Sequence, residues 1–156
     1  MATKKMAIIA TKGTLDMAYP PLILASTAAA LGWDVQIFFT FYGLQLLRKN
    51  LDGIRISPLA NPAMPMPVPM PVIVSVLPGM EAMATMMMKD KMKKKGVASL
   101  EELRSLCLEA DVKFIACQMT VDLFEFQTSE FIDGIEYGGA ATFMKFAGET
   151  DVCLFI

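Results

Sequence analysis

Residues 33–41 read WDVQIFFTF, and this almost unbroken apolar run constrains the fold more than any other feature. A strand with one wet face alternates polar and apolar side chains, whereas one that is apolar throughout has to be covered on both faces. Three other runs share its β-forming character: KMAIIA at 5–10, VKFIAC at 112–117 and the closing DVCLFI. Val72 to Leu77 reads as a further strand. Helix signals fill the intervals. The stretch LDMAYPPLILASTAAALG ends on Gly32 as a C-terminal stop, and Pro20 and Pro21 within it predict a late start or a kink. YGLQLLRKN is a short helix, and GMEAMATMMMKDKMKKKG is a longer one that stops at Gly96. SLEELRSLCLEA opens on a capping box, Ser99 to Glu102, and sets Leu103, Leu106, Cys107 and Ala110 on one face. A further helix begins at Gln118. Strands alternating with helices predict one α/β domain spanning 1–156, with a doubly wound, mainly parallel sheet and helices on both faces. In such sheets ligands sit outside the carboxyl ends of the strands.

The chain has no histidine. That excludes a histidine-based triad, a Cys–His dyad and any histidine-ligated zinc or haem. A net charge of −2 with 19% charged residues gives no reason to expect a nucleic-acid partner. Residues 56–80 carry no charge and have the length of a membrane span, but they hold seven prolines. Each proline removes a backbone donor and breaks a helix, so the segment reads as extended and partly polyproline-like, not as a span. The N-terminal apolar run is too short for a cleaved signal. Three cysteines without a C-x-x-C pair exclude a thioredoxin-type motif and a zinc knuckle, and fit a reducing cytoplasm.

No cofactor or metal is expected. TKGTLD, at the mouth of the first helix, could hold an anion on its amides, but it lacks the P-loop pattern and the hydroxyl-rich loop of a flavin phosphate site. An ordinary helix entry accounts for it. Met80, Met83 and Met86 repeat as M-x-x-M; adaptable core or interface methionines explain them better than copper does. The lysines from Lys89 to Lys95 are a solvated helix end that could also steer an acidic partner.

Of the cysteines, Cys107 falls on an apolar helix face and Cys153 inside a terminal strand, so both read as core packing. Cys107 and Cys117 lie near opposite ends of one strand. Five rises of ~3.3 Å separate them by roughly 16 Å, well past the ~7 Å disulfide limit. Cys117 stands where that strand turns into a helix, a place where unpaired amides and the helix dipole favour a thiolate. Position alone leaves a reactive sulfur and a small core residue equally open. A thiolate with neither a general base nor a resolving partner suits the exchange of sulfane sulfur, which moves few protons, better than peptide hydrolysis, which must protonate a leaving amine.

The segments IFFTFYGLQLLRK, NPAMPMPVPMP, LPGMEAMATMMMK, FIACQMTVDL and DGIEYGGAATFM together resemble the DsrE/DsrF-like proteins, in order and spacing, over nearly the whole chain. They resemble most the second DsrE subfamily, often labelled peroxiredoxin-like. The resemblance implies a DsrEFH-like α/β fold assembled into homo-oligomers. It also implies a cytoplasmic sulfur carrier or sulfurtransferase that holds a persulfide or thiosulfonate and exchanges it with TusA-like or rhodanese-like partners. The cysteine of ACQM, here Cys117, is the family's sulfur-bearing residue. A peroxidatic T-x-x-C motif and a resolving cysteine are both missing, so a peroxidase is not expected. The uncharged Pro/Met segment is expected to be covered by the fold or by a neighbour, as an apolar lid or subunit contact beside the Cys117 mouth. Two other readings stay open: a non-catalytic interaction subunit with a structural cysteine, and a flavin- or nucleotide-binding module.

Overall fold

The computed structural model describes residues 2–58, 61–65, 67, 68 and 70–156. Its five strands are β1 (Lys5–Ala10), β2 (Asp34–Phe39), β3 (Lys113–Cys117), β4 (Glu136–Gly138) and β5 (Val152–Phe155). They form one sheet in the order β4-β3-β2-β1-β5, and every pairing is parallel. The helices are α1 (Leu15–Ala30), α2 (Val72–Ser75), α3 (Met80–Lys94), α4 (Leu100–Glu109), α5 (Gln118–Leu123) and α6 (Ala140–Ala147), with 3₁₀ turns at Phe41–Leu47 and Thr128–Glu130.

The chain builds outward from β1 through β2 and β3 to β4, then crosses back to lay β5 on the far side of β1. Right-handed crossovers that run in opposite directions put their helices on opposite faces. Accordingly α1 and α4 cover Ile8, Ile37, Phe39 and Phe114, while α6 covers Ala7, Phe38, Ile115 and Cys117. The doubly wound architecture is the expected one, but its covering is uneven. On the second face the short α6 is held by Phe143, whose ring stacks on Phe38 at 5.0 Å. Cys153 and Phe155, in register with Ala7 and Ile9, stay exposed on that face. The reading of Cys153 as a core residue is therefore wrong: it belongs to an edge strand, on the side that α6 does not reach.

Local expectations fare variously. Gly32, at φ +80°, closes α1 with two bonds, Trp33 N–H to Ala28 and Gly32 N–H to Ala29, a Schellman stop. Pro20 and Pro21 do not delay α1, which starts at Leu15 and runs through both. The rings leave the Asp16 and Met17 carbonyls without their helical donors, while Pro21 is buried. The Ser99–Glu102 capping box is present. The buried face of α4 is Leu100, Leu103, Arg104 and Cys107; Leu106 and Ala110 point outward. Arg104 turns inward because its guanidinium donates to the carbonyls of Leu46 and Arg48, at 2.9 and 2.6 Å. Val72–Leu77 is not a strand. Pro71 initiates the single-turn α2, and Val74 N–H bonds back to its carbonyl at 3.0 Å.

Within the Pro/Met segment, Met64 and Met70 are half-buried and the other described residues from 61 to 71 are exposed; Met66 and Pro69 lie outside the described residues. The fold of one chain does not cover it. No helix among the described residues is long and apolar enough to cross a membrane.

The chain leading into this segment is pinned to α3 by one buried hydroxyl. Thr85 Oγ accepts from Ile56 N–H at 3.1 Å and donates to the Glu81 carbonyl at 2.7 Å. Thr85→Val keeps the shape and strands the Ile56 amide, so it is expected to cost about 1–3 kcal/mol. Urea unfolding reads this as a lower midpoint at constant slope; an unchanged midpoint would contradict it.

Candidate functional site

Cys117 ends β3 and is the N-cap residue of α5, as its sequence position implies. Its residue is only 4% exposed, and its side chain lies on the α6 side among Ala7, Phe38, Ile115 and Phe143. Across the sheet edge its neighbour in β4 is Gly138, followed by Gly139, where an added Cβ would meet nothing within 4 Å. The edge beside the sulfur is thus built from residues that occupy no side-chain volume.

The sulfur faces a set of donors. Met119 and Thr120 are the second and third residues of α5, whose amides an N-cap side chain serves. The neutral thiol forms no short cap bond, yet both amides and the hydroxyls of Thr120 and Thr40 act on it. Burial pushes the Cys117 thiol up; these donors outweigh burial and hold it below its usual range. The amides at the helix end act as the sequence position implies, and the hydroxyls of Thr120 and Thr40 add to them.

Those donors are themselves held. Thr120 is fully buried. Its oxygen lies 3.2 Å from Thr40 Oγ and accepts from Phe41 N–H at 3.3 Å. With an amide already donating to it, the Thr120 hydroxyl can turn its own hydrogen to the sulfur. Phe41 adopts φ +48° to aim that amide, a conformation uncommon for a non-glycine residue. Gly43 permits it: a Cβ there would overlap the Ala10 carbonyl, just as a Cβ at Gly13 would overlap that of Tyr42. Thr40, Thr120 and Gly43 were not singled out in the sequence, and Gly13 was noted only as part of TKGTLD. The usable signal was C-x-x-T, an N-cap residue followed by a hydroxyl at the third helical position.

The other sulfurs differ. Cys107 is buried and its thiol donates to the Leu22 carbonyl at 3.3 Å; burial pushes it up to about 12, which is the behaviour of a structural thiol. All three cysteines are free. The mouth of α1 offers no open anion cradle. Leu15 N–H donates to the Arg55 carbonyl at 2.7 Å, and the Asp16 carboxylate accepts from Ser57 N–H and Oγ. A cleft of about 360 Å³ lies between α1, α3 and α4, lined by Tyr19, Leu51, Met92 and Leu100 among others, on the face away from Cys117.

The fold is a parallel α/β sheet that recesses at a strand end one thiol held below its usual range. The chain belongs to the DsrE/DsrF/DrsH-like family, whose model matches residues 2–155. It is 66% identical to the sulfur carrier protein DsrE2 of Allochromatium vinosum over the full length of both chains. It is 34% identical to the uncharacterized protein YrkE of Bacillus subtilis, over 99% of this chain and 98% of that one. Among solved structures, the YchN protein of E. coli superposes with a TM-score of 0.57 at 12% identity, over 99% of this chain and all of YchN, which is a likeness of fold.

Thr120→Val removes one donor from the sulfur and keeps the volume. In a Cys153→Ser background, the midpoint of the iodoacetamide rate-against-pH profile is expected to move to higher pH, with a slower rate at neutral pH. A profile that does not move would remove Thr120 from the site. Thr40→Val is expected to shift it in the same direction.

Proposed function

We propose that this chain is a cytoplasmic sulfur carrier acting through Cys117. The observation that carries the reading is a recessed thiol, set below its usual range by two amides and two hydroxyls, in a chain without histidine. Such a sulfur is pre-set as a nucleophile and needs no base. The Cys117 thiolate attacks the outer sulfur of a donor persulfide. A new S–S bond forms at Sγ, the donor's S–S bond breaks, and the donor leaves as a thiolate with the electron pair. The outer sulfur later passes to an acceptor thiolate by the same exchange, with no net redox change. A thiosulfonate would load in the same way from tetrathionate, with thiosulfate as leaving group. The likeness to the sulfur carrier protein of Allochromatium supports the reading, and TusA-like and rhodanese-like proteins are the partners it calls for.

A structural role for Cys117 is disfavoured by its contrast with Cys107, which shows what burial alone does to a thiol here. A flavin or nucleotide module is disfavoured by the occupied mouth of α1. Mass spectrometry after exposure to polysulfide, thiosulfate or tetrathionate tests the reading. Sulfur adducts that peptide mapping places on Cys117, absent in Cys117→Ala, are expected; an unmodified wild-type Cys117 would overturn it.

Assembly into a homo-oligomer is part of the same proposal. It is supported by apolar surface that one chain leaves open: Phe155 at 72% exposure, and Val72, Ile73 and Val76 along α2. Light scattering is expected to give a mass above that of one chain, and Phe155→Glu to lower it. A monomeric wild type at working concentration would dismiss the assembly.

A further inference from the structure

Between Phe114 and Met144 the chain has no lysine or arginine, but it has five carboxylates: Asp122, Glu125, Glu130, Asp133 and Glu136. This is the stretch that carries Cys117, α5 and the edge strand β4. Glu130 is taken by Arg48, at 2.8 Å, whose guanidinium also lies over Phe126. The other four are exposed. Asp122 lies one helical turn beyond Gln118 and accepts from its amide at 2.8 Å. Glu136 sits beside Ile115 on the edge strand. Two exposed cations border the stretch: Lys12, on the loop packed against Tyr42, and Lys49, whose amide donates to the Glu130 carbonyl at 2.9 Å.

Inside this acidic rim the surface is aromatic. Tyr42 and Phe124 stack at 6.2 Å with an interplanar angle of 16°, and Phe41 meets Phe124 edge-on at 6.2 Å. These rings adjoin the sulfur through Phe41, whose amide bonds Thr120. Tyr42 is 65% exposed and Met119, two residues after Cys117, is 61% exposed. Rigid aromatic groups beside a recessed sulfur, flanked in sequence by the exposed carboxylates Asp122 and Glu125, are the composition of a protein-docking surface: the rings supply contact energy and the charges supply steering.

We propose that this aromatic, acid-rimmed face at the Cys117 mouth docks a basic protein partner, one whose own reactive cysteine is flanked by lysine or arginine. The carrier reading enters only in what the partner's cysteine brings; the surface and its charge stand apart from it. The same rim repels small sulfur anions, so exchange with a basic protein is the faster route to a sulfur recessed to 4% exposure.

The test uses the full chain with Cys153→Ser. Peptides carrying one cysteine as a mixed disulfide with thionitrobenzoate, flanked by lysines, by glutamates or by serines, exchange with Cys117 and release thionitrobenzoate. The basic peptide is expected to react at least about tenfold faster than the acidic one at low salt, with the ratio falling towards one in high salt. Asp122→Lys with Glu125→Lys is expected to reverse the preference, and Tyr42→Ala with Phe124→Ala to slow all three peptides. Equal rates, or a faster acidic peptide, would overturn the proposal. Fluorescence anisotropy with the same peptides carrying serine for cysteine reads binding without exchange, and the same order is required there. Salt-sensitive self-association lost in Lys93→Glu with Lys94→Glu would assign the face to a second copy instead. The carrier reading fails by absence of Cys117 adducts and this one by absence of a charge preference, so either result leaves the other intact.

Discussion

The register of β2 against β3 is the constraint from which the site follows. Phe39 pairs with Ala116, so Thr40 arrives level with Cys117 just as both strands end. A slip of one residue would turn Cys117 to the α1 face and carry Thr40 away from it. What fixes the register is packing on both sides at once: Phe39 against Phe114 at 5.1 Å on one face and Phe38 against Phe143 on the other. A fold-level force of a non-directional kind thereby sets a polar contact, Thr40 Oγ to Thr120 Oγ at 3.2 Å.

The loop after β2 converts that register into chemistry. Thr40 N–H donates to the Ala10 carbonyl at 3.1 Å, which ties the hydroxyl pair to the central strand β1. The donors at the sulfur are thus rooted in three elements that pack independently of the sulfur's state. Catalytic groups need such support, since a donor that wanders by an ångström stabilises nothing. In a chain without histidine, dipoles fixed in this way lower the Cys117 thiol from its usual range without accepting or releasing a proton.

Much of this was legible in the sequence, and what was not has physical reasons. The strands of the sheet centre, β1 to β3, announce themselves because burial on both faces demands unbroken apolar runs. The glycine stops and the Ser99 capping box are local signals that act through local bonds. β4 was invisible: three residues in a glycine-bearing stretch become a strand only because β3 presents an unpaired edge to them. Val72 to Leu77 misled in the opposite sense, having β-forming residues but prolines on both flanks and no edge to join. Cys153 looked buried because its strand is apolar; its exposure depends on how far α6 reaches, which no local pattern encodes. The place of Cys117 at the turn from strand to helix was readable, though position alone did not say what its sulfur does, whereas Thr40, 77 positions earlier in the chain, becomes its neighbour only through parallel pairing.

Gly43 deserves to be read in this light as a question of inheritance. Its own backbone lies against the Ala10 carbonyl that Thr40 also uses, in a space with no room for a Cβ. A side chain there would push the loop off β1, carrying Phe41 and Thr40 with it, while the sheet and its two hydrophobic layers stayed in place. The first thing lost to sequence drift at this position is the set of donors around Cys117, and the fold would outlast the arrangement it once held.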